Sequence, residues 1–137
     1  MPSTNDVHRG QCLCGGVRYS VRGPLREVIA CHCSQCRRSS GHHVAATAAA
    51  RTALHLEEAA TLRWYRSSPA ADRGFCERCG SNLFWRQTDP AVTTISIMAG
   101  TLDPPTGVSI RRHIYVADRS DYYVIADGAA QFPGAGD

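Results

Sequence analysis

The fold is decided by the stretch Gln11-Cys12-Leu13-Cys14-Gly15 and its distant counterpart Cys76-Glu77-Arg78-Cys79-Gly80. Each stretch carries two cysteines followed by a glycine, and 61 residues separate the two pairs. Four cysteine thiolates complete the tetrahedral shell of a structural zinc ion, which then has no open coordination position. We therefore expect zinc bound by Cys12, Cys14, Cys76 and Cys79 to join the N-terminal strand to a distant hairpin.

A third cluster, Cys31-His32-Cys33-Ser34-Gln35-Cys36, places three thiols within six residues, so it can bind one ion unaided. Three thiolates leave one position for water or a substrate thiolate, which is typical of catalytic zinc. His42 or His43 could fill that position instead and make the site structural. In an extended C-x-C segment the two sulfurs face one way and the middle side chain the other, so His32 is not expected to be a ligand.

The ligand type indicates which chemistry the second site suits. Zinc with three thiolates carries a net charge of −1, so it activates water poorly but suits the capture of a soft thiolate. Arg37 and Arg38 follow the cluster directly and could bind the carboxylates of a small anionic thiol, or remain solvated surface arginines. We expect Cys31, Cys33 and Cys36 to be catalytic and the two arginines to bind substrate.

Length and cysteine usage indicate one cytoplasmic domain. The 137 residues predict a single domain, 1–137, with an ordered core over about 8–132. Met1–Arg9 lacks the apolar run of a signal peptide, and no stretch approaches the roughly 20 apolar residues of a membrane helix. Seven cysteines, an odd number, argue against a complete disulfide framework, although Cys76 and Cys79 could form a redox pair.

The charged residues of the chain indicate which classes of binding partner it suits. All 15 basic residues are arginine, so Schiff-base chemistry on a lysine is excluded. The formal charge of +3 falls to about zero once seven thiolates and two zinc ions are counted, which does not favour nucleic acid as a partner. We expect a small-molecule thiol such as glutathione and no membrane partner, and the sequence leaves a homo-oligomer open.

Short apolar segments between glycine and proline signals predict a mainly β fold. Residues 82–86 and 92–98 alternate as strands do, the latter with β-branched side chains. Residues 34–40 are expected to form about one helical turn. The alanine-rich segment 43–50 is compatible with either a strand or a helix.

The motifs resemble those of the glutathione-dependent formaldehyde-activating enzymes and the related centromere-protein-V-like domains. The matching stretches are 10–19 (GQCLCGGVRY), 31–41 (CHCSQCRRSSG), 73–83 (RGFCERCGSNL), 100–103 (GTLD) and 127–128 (DG). The resemblance implies an Mss4-like fold of short antiparallel strands, a structural zinc on the four-cysteine set and a second, more labile zinc on Cys31, Cys33 and Cys36. It implies a carbon–sulfur lyase that forms S-(hydroxymethyl)glutathione. Tyr122 and Tyr123 stand where the family commonly carries a tryptophan.

Two other functions are compatible with the same cysteines. A zinc-stabilised binding module without catalysis predicts two closed metal sites, or an empty second site, and a salt-sensitive partner. A thiol or metal sensor would use oxidation of the three-cysteine cluster and reversible zinc loss.

Overall fold

The computed structural model describes residues 6–136. The first five residues of the polar segment Met1–Arg9, and Asp137, lie outside the described residues. The mainly β fold predicted from the sequence is confirmed. The strands, in chain order, are β1 Val7–Gln11, β2 Arg18–Arg22, β3 Val28–Cys31, β4 Val44–Ala50, β5 Leu54–Glu58, β6 Leu62–Ser68, β7 Ala71–Cys76, β8 Asn82–Gln87, β9 Thr94–Met98, β10 Ile110–Ile114 and β11 Ala130–Gln131.

Helical structure in the described part of the chain is limited to short elements. The α-helix α1 spans Ser34–Ser40, and three single-turn 3-10 helices span Arg51–Ala53, Ala99–Thr101 and Val116–Asp118. Helix α1 ends at Gly41, whose φ of 82° is the left-handed conformation that glycine adopts readily. None of these helices has the length and apolar content that crossing a membrane requires.

The strands form two sheets. Strands β1, β2 and β5 make a small antiparallel sheet, and the other eight make a large sheet in the order β11-β10-β3-β4-β9-β8-β7-β6. The large sheet is antiparallel except at one edge, where β10 runs parallel to both β3 and β11. Strand β4 is the alanine-rich segment, and it is a strand because β3 and β9 pair with it on both sides and override its helix propensity.

The two faces of the large sheet have different surroundings. One face packs against the small sheet: Ile95 and Ile97 of β9 and Phe84 of β8 are buried with Tyr19 and Val21 of β2. The Tyr19 ring meets Phe84 edge-on, with 5.3 Å between centroids. Because side chains alternate along a strand, the neighbours of these residues point to the opposite face, which holds the pocket described below.

Candidate metal centre and pocket

The four cysteines predicted to bind a structural ion lie together. Their sulfur atoms are within 4.8 Å of one another, so they could hold a metal ion. Cys12 and Cys14 follow β1, Cys76 ends β7 and Cys79 lies in the turn that leads to β8. The cluster therefore connects the small sheet to the far end of the large sheet, as the spacing of the pairs predicted.

Local hydrogen bonds reach several of these sulfurs. The backbone N–H of Val17 donates to Cys12 Sγ over 3.3 Å, and that of Gly16 donates to Cys14 Sγ over 3.4 Å. A hydrogen bond with the Ser81 hydroxyl lowers the pKa of the Cys79 thiol to about 5. Such contacts stabilise thiolates, which are the form that binds metal.

The second cluster forms where β3 leads into α1. The sulfurs of Cys31, Cys33 and Cys36 lie within 4.8 Å of one another, so this group too could hold a metal ion. Cys33 is the N-cap of α1, and its sulfur accepts a hydrogen bond of 3.3 Å from the Cys36 N–H. Hydrogen bonds from Cys31 and Cys36 lower the pKa of the Cys33 thiol to about 2, whereas hydrogen bonding to Cys33 raises the pKa of Cys31.

The three-cysteine cluster opens into a pocket of about 620 Å³. This volume is within the usual range for sites that bind small molecules. Its wall is formed by pairs of residues, each pair two positions apart on one strand, so that both side chains point to the face opposite the core. These are Ile29 and Cys31, Val44 and Ala46, Ser96 and Met98, Trp85 and Gln87, and Ala71 and Arg73.

The polar lining of this pocket is cationic. Arg26 and Arg73 contribute to the wall, and no aspartate or glutamate is among the described residues that line it. Neither arginine forms an ion pair with a described carboxylate. Arg37 and Arg38 lie on α1 but are not among the lining residues. The pocket is therefore suited to an anionic ligand with an apolar part.

Neither histidine considered as a fourth ligand joins the three cysteines in the metal-binding group of the described residues. The Nδ1 atom of His42 makes a short hydrogen bond with the Tyr122 hydroxyl. The His43 ring stands 4.7 Å from that of His32, and its Nδ1 is buried without a hydrogen-bond partner. All three cysteines line the pocket, and neither histidine is among its described lining residues.

His32 points away from the three-cysteine cluster, as the C-x-C alternation predicted, and belongs to a hydrogen-bond chain that runs through buried His113 to the exposed Asp127. Its Nε2 is 2.9 Å from Nδ1 of His113, whose Nε2 is 2.7 Å from a carboxylate oxygen of Asp127, while its Nδ1 hydrogen-bonds Tyr123. Burial lowers the pKa of His32 to about 4, with like-charge neighbours adding to the shift. His113 and Asp127 were not predicted from the sequence as partners of His32; the motif at residues 127–128 was the available signal.

Known proteins resemble this chain in sequence and in fold. A crystal structure of a Rhodobacter sphaeroides protein has a TM-score of 0.59 and 25% identity, covering 74% of this chain and 98% of that one. A protein of Schizosaccharomyces pombe described as an uncharacterized lyase is 24% identical over 126 residues, which is 91% of this chain and 90% of that protein. The family described as glutathione-dependent formaldehyde-activating enzyme matches residues 7–118, a span that includes all seven cysteines. The chain belongs to the family of glutathione-dependent formaldehyde-activating enzymes.

Proposed function

We propose that the protein is a zinc-dependent carbon–sulfur lyase that forms and breaks S-(hydroxymethyl)glutathione, acting on formaldehyde and glutathione or a related thiol. The observation that carries this proposal is the three-cysteine cluster at the wall of a cationic pocket. The family and the relative described as a lyase support it. A cytoplasmic location belongs to this proposal, because all seven cysteines lie in the two groups that could hold metal and must stay reduced to do so.

The donor sets of both clusters fit zinc. Thiolate sulfur is a preferred zinc ligand, and the N–H···S hydrogen bonds at Cys12, Cys14 and Cys33 orient sulfur for binding. Cys12, Cys14, Cys76 and Cys79 would hold a structural ion, and Cys31, Cys33 and Cys36 a second, more labile one. At the second site, zinc would supply Lewis acidity that keeps the sulfur of a thiol substrate deprotonated at neutral pH.

Arg26 can hold the remote end of the substrate. Its Nη2 donates a 2.9 Å hydrogen bond to the Ala46 carbonyl, and Ala46 is opposite Ile29, two residues before Cys31. Two residues of a strand span about 7 Å, so the guanidinium lies roughly that far along β3 from the cysteines. A glutathione carboxylate could reach this position while its sulfur lies beside the cluster.

The roles predicted for Arg37 and Arg38 remain proposals. The two side chains lie on the helix that carries Cys36, so they could still orient a substrate as it enters. The contacts within the pocket favour Arg26 as the carboxylate partner, because it lines the wall.

Zinc stoichiometry tests the proposal. Protein purified without chelator should contain two zinc ions per chain, one of which a chromophoric chelator removes quickly and glutathione protects. Cys33→Ser should lose that labile ion and the turnover of S-(hydroxymethyl)glutathione, and should keep the other ion. One tightly bound zinc that does not respond to glutathione, or unchanged turnover in Cys33→Ser, would instead favour a binding module without catalysis.

A further inference from the structure

Arg73 has no assigned role in the chemistry above, yet it lies beside the reacting end of the pocket. It is on the pocket face of β7, and only 9% of its surface is exposed. Its Nη2 lies 3.6 Å from Cys36 Sγ. Its Nε is buried and has no hydrogen-bond partner. A buried guanidinium with unused donors is costly unless an anionic group completes its contacts.

Apart from the Cys36 sulfur, the described surroundings supply no anionic group. The neighbouring carboxylate, Asp72, forms ion pairs with Arg66 and Arg86. No described acidic residue lines the pocket. The Cys36 sulfur occupies one of the five N–H donors of a guanidinium, which leaves others for a ligand.

We propose that Arg73 is a catalytic residue that donates hydrogen bonds to the formaldehyde-derived oxygen of the substrate. The inference rests on the proposed function. In the forward direction the substrate thiolate attacks the carbonyl carbon, a C–S bond forms, and the π electron pair of C=O moves to oxygen. The negative charge thus passes from sulfur to oxygen, and protonation from solvent gives the hydroxymethyl thioether. Arg73 stabilises the oxygen while it carries that charge.

The position and chemistry of Arg73 suit this step. The Arg73 guanidinium contacts Cys36 Sγ. A substrate sulfur bound at the same cluster would lie next to Cys36 Sγ, so the guanidinium can also reach the atoms bonded to that substrate sulfur. Its donors are held in a low-dielectric wall before the reaction, so they need no reorganisation when the charge develops. Loss of one such donor typically lowers kcat by about 10²–10³-fold. A competing role is that Arg73 only offsets the charge of the three thiolates, and this role predicts no contact with substrate oxygen.

A binding comparison separates the two roles without using turnover. The probes are S-(carboxymethyl)glutathione, which carries a carboxylate one methylene from sulfur and so places anionic oxygens one bond farther from sulfur than the substrate oxygen, and S-ethylglutathione, which carries none. We expect the zinc-loaded wild-type protein to prefer the first probe on the order of tenfold, as for one charge-assisted hydrogen bond. Arg73→Gln should lose this preference at unchanged zinc content. The matched control Arg18→Gln, at an exposed position of β2, should keep it.

Kinetics give a second measurement. Arg73→Gln should lower kcat by about 10²-fold or more with little change in KM, and Arg73→Lys should recover part of the loss. If Arg73→Gln does not fold, the probe preference of the wild-type protein and the kcat of Arg73→Lys still test the proposal. The inference is overturned if the wild-type protein binds both probes equally or neither, or if a folded variant keeps the full preference. Absence of turnover with glutathione and formaldehyde, with the preference intact, would instead count against the proposed function.

Discussion

The two cysteine clusters should differ in what they contribute to stability, and a pair of double variants tests this. Cys76→Ser with Cys79→Ser removes one end of the cross-link between strands β1 and β7. Cys31→Ser with Cys33→Ser disrupts the pocket cluster by the same chemical change. Both variants lose two thiols, so a difference in their thermal stability reflects where in the chain the lost ion was bound.

The magnitude follows from the length of chain that each ion constrains. The first site closes a loop of 61 residues between Cys14 and Cys76, and the loop-closure entropy of such a cross-link is worth about 4 kcal/mol at 25 °C. The second site joins three residues within a six-residue stretch, for which the same relation gives about half of that value. For 137 residues the unfolding entropy makes 1 kcal/mol equal to roughly 3–4 °C.

Thermal unfolding followed by far-ultraviolet circular dichroism, with zinc measured on the same samples, is the assay. We expect the Cys76/Cys79 variant to unfold roughly 15 °C below the wild type and the Cys31/Cys33 variant to lose no more than about half as much. Each should lack one of the two ions. Equal losses of Tm in the two variants, or a Cys76/Cys79 variant within a few degrees of the wild type, would refute the assignment of a cross-linking role to the first site.

Two further predictions concern residues around the pocket. Arg26→Gln should raise KM for glutathione on the order of tenfold with kcat nearly unchanged, because the substitution removes a contact made equally in ground and transition states. Steady-state kinetics measure both constants, with the exposed-site variant Arg18→Gln as the control. A lower kcat at unchanged KM would contradict the prediction. His113→Leu should lower the free energy of unfolding by about 1–3 kcal/mol, since it leaves the buried His32 Nε2 unpaired; denaturant titration checks this, and a change below about 0.5 kcal/mol would show that the chain of hydrogen bonds contributes little.

The two cysteine clusters that could hold a metal ion were predictable from the sequence because the members of each pair or triplet are defined by local spacing. Two cysteines separated by one or two residues can reach one ion whatever the rest of the fold does. The orientation of His32 also followed from local geometry, since alternation along an extended segment is fixed by the backbone. The pairing of Cys12 and Cys14 with Cys76 and Cys79 needed only elimination, and the structure confirms that the four lie together.

The pocket residues could not be predicted in the same way. Arg73 begins the stretch 73–83 that resembles the family, but nothing in that stretch indicates that its side chain lines a pocket. Its place in the wall depends on which face of β7 it occupies and on the order β4-β9-β8-β7, which brings that strand to the side of α1. Arg26 lies outside every cysteine motif. The positions of both arginines in the pocket wall follow from strand pairing between distant segments, which residue spacing in the sequence does not predict.

The alternation at Cys31-His32-Cys33 connects the pocket to the C-terminal segment. The two cysteines present sulfur to the pocket face, and His32 between them points to the other face, where it contacts His113. Because His113 in turn contacts Asp127, the C-terminal segment restrains the backbone that carries two ligands. A hydrogen bond between buried side chains, such as that between His32 and His113, holds a segment in one orientation better than apolar packing alone. We therefore interpret these hydrogen bonds as positioning Cys31 and Cys33, with no direct contact to the reacting atoms.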